Sequence, residues 1–166
     1  MPLCSSDASP LKGVLLAAAV LLSPSLGLAQ TGPFAGLEGA WSGNGVISSN
    51  DGRSERLRCR AQYHVSPSGK DLDLQLHCTS DSYQFDVNSQ LVLESNGAIE
   101  GQWTETNHKA GGGVEARANG DQIVAKIAGP GFTADMKVGT HGKRQRVEII
   151  SPGWEIRSVS VDMHRG

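Results

Sequence analysis

The sequence carries little net charge, lacks the common catalytic motifs and, beyond its N-terminal end, contains no convincing helical pattern. Fifteen lysines and arginines nearly balance seventeen aspartates and glutamates, giving a net charge of −2. This balance does not indicate nucleic acid or an anionic membrane surface as a partner. Neither Gly-x-Ser-x-Gly nor Gly-x-x-x-x-Gly-Lys occurs, so the usual serine-hydrolase and phosphate-loop signatures are missing.

The first 29 residues have the layout of a secretory signal peptide. Lys12 precedes an apolar run over 13–22, and Gly27-Leu28-Ala29 supplies small residues for cleavage after Ala29. The run is too short to cross a bilayer, which needs about 20 apolar residues. We therefore predict an exported protein with no membrane span after cleavage, a short tail over 30–37 and one domain over 38–166.

The rest of the chain alternates apolar and polar residues in short runs separated by turn residues. This pattern predicts an all-β fold of about ten antiparallel strands in up-and-down order. A sheet with one apolar face and no helices to cover it closes into a barrel or splits into two packed halves. The predicted strands are 38–49, 53–65, 70–79, 82–94, 98–106, 113–119, 121–128, 131–139, 144–150 and 154–164.

One register of the second and third strands places every apolar residue opposite another apolar residue. It pairs Val65 with Leu72, Tyr63 with Leu74, Ala61 with Leu76 and Cys59 with Cys78. Directly opposed cysteines lie within reach of a disulfide, and two cysteines in an exported domain most often form one. We predict this bridge, which leaves the domain no thiol nucleophile.

Matching apolar residues across each turn predicts the registers of the other hairpins. A three-residue turn at Asn96 places Leu93 opposite Ile99 and Ser89 opposite Trp103. A two-residue turn is predicted at 119–120, and further turns are predicted around 129–131 and around 152–153. They place Ala116 opposite Ile123, Val114 opposite Ala125, Ile127 opposite Phe132, Ala125 opposite Ala134, Ile149 opposite Trp154 and Val147 opposite Ile156.

The first strand carries Gly39, Trp41, Gly43 and Gly45 at alternate positions. This Gly-x-Trp-x-Gly-x-Gly stretch resembles the opening strand of calycin barrels: lipocalins, fatty-acid-binding proteins and, in its longer form, nitrobindins. The chain also resembles small secreted calycin-like proteins of alphaproteobacteria, which implies the periplasm or exterior of a Gram-negative cell. The resemblance implies a structural role for these four residues, with Trp41 packed across one end of the barrel.

Two departures separate the chain from those families. Too few residues follow the first strand for the two helices of fatty-acid-binding proteins. Nitrobindins hold haem through a histidine near the last strand, whereas His164 is predicted to point outward. His64 and His77 fall on the polar face, and His108 and His141 fall in turns, so we predict no haem or other cofactor and no metal site.

The inward face combines small residues with a few large ones, which leaves open whether the barrel is filled or holds a ligand. We interpret Gly101, Ala116, Ala125 and Ala134 as leaving space near Trp103. Glu105 is predicted to meet a ligand or Gln145, or else to lie solvated at the rim. The candidate ligand-binding residues are Tyr63, Phe85, Trp103, Glu105, Phe132 and Met136.

The predicted function is binding of a small apolar or amphipathic molecule in the barrel, without enzymatic activity. Acid–base catalysis would need two carboxylates in one cleft, and only Glu105 is a plausible inward one. An alternative is an inhibitor or interaction protein acting through its surface and tail. The tail over 30–36 resembles that of bacterial inhibitors of secreted metalloproteases, although those barrels have eight strands. The sequence names neither a ligand nor a protein partner.

Overall fold

A computed structural model describes residues 31–166, which form a closed barrel of ten antiparallel strands. Each strand pairs with its neighbours in the chain, and the first pairs with the last. The predicted all-β, up-and-down barrel is confirmed. The strands are β1 (Gly39–Ser49), β2 (Ser54–Val65), β3 (Asp71–Thr79), β4 (Gln84–Leu93), β5 (Ile99–Glu105), β6 (Ala110–Asn119), β7 (Gln122–Gly129), β8 (Phe132–His141), β9 (Arg144–Ile150) and β10 (Ile156–Arg165). The predicted signal peptide and Gln30 lie outside the described residues.

Strict alternation places one set of side chains inside the barrel and the other in solvent. Strand β2 shows it most clearly, because every second residue from Leu57 to Val65 is buried and the residues between them are exposed. Closure of the sheet leaves no unpaired edge. The core therefore consists of the inward residues of all ten strands.

Glycines mark places where neighbouring strands approach too closely for a side chain. A Cβ at Gly43 would overlap the carbonyl oxygen of Asp162, and one at Gly45 would overlap that of Ser160. Strand β10 thus leans over β1 at these positions, which only glycine permits. Gly43 and Gly45 therefore mark a close approach of β1 and β10 beside Trp41.

The two registers that rest on the clearest apolar pairing are confirmed. Cys59 lies opposite Cys78, with 4.2 Å between their Cα atoms, and the two form a buried disulfide. In the β4–β5 hairpin, Leu93 lies opposite Ile99 and Ser89 opposite Trp103.

The predicted registers of β6–β7 and β7–β8 are wrong by two residues. The turns are formed by Gly120-Asp121 and Pro130-Gly131, one residue later than assumed. Gly120 has a φ of 62° at the first central position, as in type II′ turns, and Gly131 a φ of 77° after proline, as in type II turns. A shift of two residues keeps each side chain on its predicted face. The observed pairs are Ala116 with Ala125, Val114 with Ile127, Ile127 with Ala134 and Ala125 with Met136.

The β9–β10 register is also wrong, because residues 151–155 form a five-residue loop in place of a tight turn. Ile149 lies opposite Val159, and Val147 opposite Val161. Trp154 therefore belongs to the loop rather than to a strand. An irregularity where β10 meets Ser48 and Ser49 allows Ile156 to be buried as well as Val161.

Candidate functional site

All eight aromatic residues lie near the two ends of the barrel. Phe34, Trp41 and Tyr63 lie at the end where β1 begins, which we call the sealed end. The other end carries five rings on the starts of β4 and β8, the end of β5 and two loops, and we call these residues the aromatic rim. They are Tyr83, Phe85, Trp103, Phe132 and Trp154.

Residues 31–38 cover the sealed end. Phe34 is completely buried and Leu37 nearly so. The indole Nε1 of Trp41 donates to the carbonyl of Leu37 at 2.7 Å, and the guanidinium of Arg165 lies 5.4 Å from the centre of the Trp41 ring. Trp41 thus packs against Leu37 at one end of the barrel. A tail that entered a protease cleft would have to leave this packed position.

Tyr63 also lies at the sealed end, away from the other candidate ligand contacts. Its ring meets Trp41 edge-on at 6.3 Å, and its hydroxyl donates to Oε1 of Gln145 at 2.9 Å. Burial raises the pKa of Tyr63 to about 12, although the bond to Gln145 lowers it in part. The structure therefore gives Tyr63 a packing role within the seal.

The aromatic rim contains two stacked pairs. Tyr83 and Phe85 lie nearly parallel with 6.0 Å between ring centres, and Phe132 and Trp154 stack at 4.3 Å. Trp103 packs against Phe132 at 5.9 Å, which joins it to the second pair. Such rings present flat apolar faces at one end of the barrel. The sequence analysis did not include Tyr83 or Trp154 among the candidate ligand-binding residues. The Pro152-Gly153 turn beside Trp154 was the one signal that could have placed Trp154 in a loop at the barrel end.

The Trp103 ring is held in place by a cross-strand hydrogen bond that glycines make possible. Its Nε1 donates to the carbonyl of Ala128 at 2.9 Å, reaching from β5 over β6 to β7. A Cβ at Gly112 would overlap that same carbonyl oxygen. A Cβ at Gly129 would overlap the rings of Trp103 and Phe132. The glycines of β6 and β7 thus create the space that the indole occupies.

Glu105 lies at the rim but is buried, with 5% of its surface exposed. Its carboxylate accepts hydrogen bonds from the backbone amides of Asp86, Asn107 and His108 and lies 2.7 Å from Nδ1 of His108. Burial alone would raise the pKa of Glu105, but these hydrogen bonds outweigh it and lower the pKa. The expected contact with Gln145 and the expected solvated position are wrong, because Glu105 is buried at the rim and anchors the β5–β6 loop. Its role as a ligand contact stays a prediction.

The small inward residues do not enclose the expected space. Ala116, Ala125 and Ala134 are buried, and a Cβ at Gly101 would overlap the carbonyl of Gln90. Larger inward residues on other strands are instead only partly buried, although they lie well inside the strands. They are Leu74 and Leu76 of β3, Met136 and Val138 of β8, and Val147 and Ile149 of β9.

The five histidines all lie at exposed positions in the described part of the chain. His108 contacts Phe85 at the rim, with 6.1 Å between ring centres. Among residues 31–166, no three His, Cys, Asp or Glu side chains come close enough together to hold a metal ion. The same region contains no helix long and apolar enough to span a membrane.

The outer wall formed by residues 31–166 has depressions that cross neighbouring strands. One of about 630 Å³ crosses β1 to β4, and one of about 870 Å³ crosses β5 to β8. The polar residues along the first include Arg60, Gln62, Gln75, His77 and Asn88, and they alternate with apolar residues of the same strands such as Ala61, Leu76 and Val87. We call this first depression the polar groove.

Comparison with solved structures places this geometry in a known fold. The chain is similar to Rv2717c from M. tuberculosis, with a TM-score of 0.58 and 12% identity over 79% of this chain and 93% of that one. It is also similar to an S-type phycobiliprotein lyase, CPES, from Guillardia theta, with a TM-score of 0.55 and 10% identity over 80% and 90% of the two chains. The fold is calycin-like. By sequence, the chain matches no protein-family model and no curated protein.

Proposed function

We propose that this calycin-like barrel binds a small, flat apolar or amphipathic molecule that enters past the aromatic rim. The observation that carries the proposal is the concentration of five aromatic rings at one end of the barrel. Ligand sites are commonly apolar and aromatic clefts, and the mouths of β-barrels are a preferred place for them. The sealed end leaves the rim as the route of entry.

The inner wall supports an interior position for the ligand. Leu76, Met136 and Val147 point inward yet remain partly accessible. An apolar molecule resting against them would remove this surface from water, at about 25 cal/mol for each Å² buried. The aromatic rim would then contact the part of the ligand nearest to solvent.

The polar groups near the rim support recognition by stacking rather than by charge. The indole N–H of Trp103 is used by Ala128, and the carboxylate of Glu105 is surrounded by donors from its own loop. Neither group is left free to bond a ligand or to transfer a proton. We therefore propose a binding protein rather than an enzyme and, from the N-terminal sequence, one that acts after export.

The test uses the neutral fluorophore N-phenylnaphthylamine and a matched pair of variants. Val147 points inward and is partly accessible, whereas Val124 is exposed on the outer wall. We expect the wild-type protein to bind the probe and quench tryptophan emission. Val147→Phe should weaken binding about tenfold by occupying the interior, with Val124→Phe unchanged.

A filled barrel would behave differently. Overpacking a full core costs about 1–3 kcal/mol, so Val147→Phe would then lower the free energy of unfolding. If the wild-type protein also bound no probe, the proposal would be rejected. The surface would then be the place to seek the function.

A further inference from the structure

Strand β2 carries three arginines in a row on the outer wall of the barrel. Arg56, Arg58 and Arg60 alternate with buried residues, so their side chains share the exposed face. Alternate residues of a strand are about 7 Å apart. The three side chains, which we call the arginine row, thus form a cationic strip about 14 Å long.

The arginine row has no internal counter-charge. Within residues 31–166, none of its guanidinium groups forms an ion pair or a side-chain hydrogen bond, and Asp81, just past β3, does not pair with Arg56. Lys126 and Arg146 on other strands are paired, with Asp135 and Asp162. What sets the row apart is that three unpaired cations follow one another along a single strand. The directly opposed neighbours of the row on β1 and β3 include no carboxylate. They are Ser42, Asn44, Val46, His77 and Thr79.

The polar groove begins where the arginine row ends. Arg60 lies opposite His77, which lies opposite Asp86. Two residues further along the strands, Gln62, Gln75 and Asn88 form a second row of directly opposed residues, and each row is a level of the groove. These two levels form the groove, with Gly166 at its edge. The carboxylate of Asp86 is held by the imidazole of His77 and the amide of Asn107.

The aligned carboxamides are suited to hydroxyl groups. A carboxamide supplies both donors and an acceptor, and a sugar hydroxyl requires both. The side chains of Gln75 and Asn88 make no hydrogen bond within the described part of the chain, so they are available to a ligand. A groove of about 630 Å³ is within the usual size range of sites for small ligands.

From this chemistry we propose that the arginine row and the polar groove together bind an acidic polysaccharide whose sugars carry carboxylates. Guanidinium groups bind carboxylates through two parallel hydrogen bonds, and the carboxamides bind the hydroxyls beside them. A protein partner is disfavoured, because protein interfaces centre on aromatic and other apolar anchors. Here Val46 is the one large apolar side chain exposed along the row. The site lies on the outer wall and is independent of the barrel interior.

Binding to polygalacturonate, a uronate polymer, tests the arginine row. We expect salt-sensitive binding by the wild-type protein and none to neutral dextran. Replacing Arg56, Arg58 and Arg60 with glutamine should weaken binding by at least about tenfold, since three charge-assisted contacts are lost. The control replaces Arg117, Lys137 and Arg157 with glutamine, which removes the same charge from other strands. Equal losses in the two triple variants would overturn the proposal.

Polyglutamate and Gln75→Ala test the sugar specificity. Polyglutamate carries the same carboxylates without hydroxyls, so we expect it to bind at least about tenfold more weakly than polygalacturonate. Gln75→Ala should weaken binding to polygalacturonate several-fold and leave binding to polyglutamate unchanged. Equal affinity for the two polymers would identify an acidic polypeptide as the partner and reject a polysaccharide. N-phenylnaphthylamine binding should be unaffected in every variant, which separates this outcome from the barrel function.

Discussion

Two glycines in strands show how differently one residue type is used in this barrel. An added Cβ at Gly43 would overlap the main chain of β10, whereas at Gly113 it would meet open space. We predict that Gly43→Ala lowers the free energy of unfolding by about 2–3 kcal/mol, as for overpacked sites. Gly113→Ala should instead stabilise the protein by about 0.5–1 kcal/mol. Urea unfolding of both variants measures this, and similar effects would contradict the close approach of β10 at Gly43.

Glu105 gives a second prediction at the same scale. Its hydrogen bonds lower its pKa in the folded state, so its ionisation stabilises the protein above the usual glutamate pKa. This contribution is lost as the pH falls through the lower folded value. Glu105→Gln should cost about 1–3 kcal/mol at neutral pH, because amide donors lose a charged acceptor.

The pH dependence distinguishes this role from simple packing. The difference in unfolding free energy between wild type and Glu105→Gln should be constant above pH 6 and shrink below about pH 4.5. Glu94→Gln, in an exposed turn, serves as the control. It should change neither the unfolding free energy at neutral pH nor its dependence on pH. A difference that persists unchanged in acid would show that ionisation of Glu105 contributes nothing.

At the scale of strands, the sequence predicted which face each residue occupies better than which residue it opposes. The β2–β3 and β4–β5 registers followed from apolar pairing. Around Gly120 and Gly131 the pairing is equally good two residues away, because every inward residue of β6, β7 and β8 near these turns is apolar. Turn geometry decides between such registers, and it depends on which residue takes a positive φ.

The disulfide gives a prediction at this scale. The Cys59–Cys78 bridge closes a loop with a sequence separation of 19 residues, and such loops stabilise by about 3 kcal/mol in the chain-entropy model. We predict that reduction lowers the unfolding free energy by that amount, and that unreduced, denatured protein labels at neither cysteine. A Cys59→Ala/Cys78→Ala variant should be as unstable as the reduced protein and insensitive to reductant. Labelling of both thiols in unreduced protein would refute the bridge.

At the scale of the whole molecule, the candidate site depends on how far along the barrel each residue lies. The alternation of apolar residues shows only whether a residue faces inward or outward. Phe85, Trp103, Glu105 and Phe132 were predicted to share the interior, and they meet at one end. Tyr63 was grouped with them but lies at the other end, and Met136 lies between the ends. Alternation of apolar residues fixes inside and outside, whereas the level along the barrel depends on where each strand starts and in which direction it runs. Trp154 was missed because its loop was predicted to be part of a strand.

The two ends of the barrel should therefore differ in what they contribute to stability. Phe34 is completely buried in the seal, whereas Trp154 at the rim is 37% exposed. We predict that Phe34→Ala lowers the free energy of unfolding by about 3–5 kcal/mol, as for other buried aromatic residues. Trp154→Ala should cost less than about 1 kcal/mol and weaken binding of N-phenylnaphthylamine. Urea unfolding and probe titration of the two variants measure both effects. A seal that contributed nothing would leave Phe34→Ala as stable as the wild type, and residues 31–37 would then be free to engage a partner as a tail.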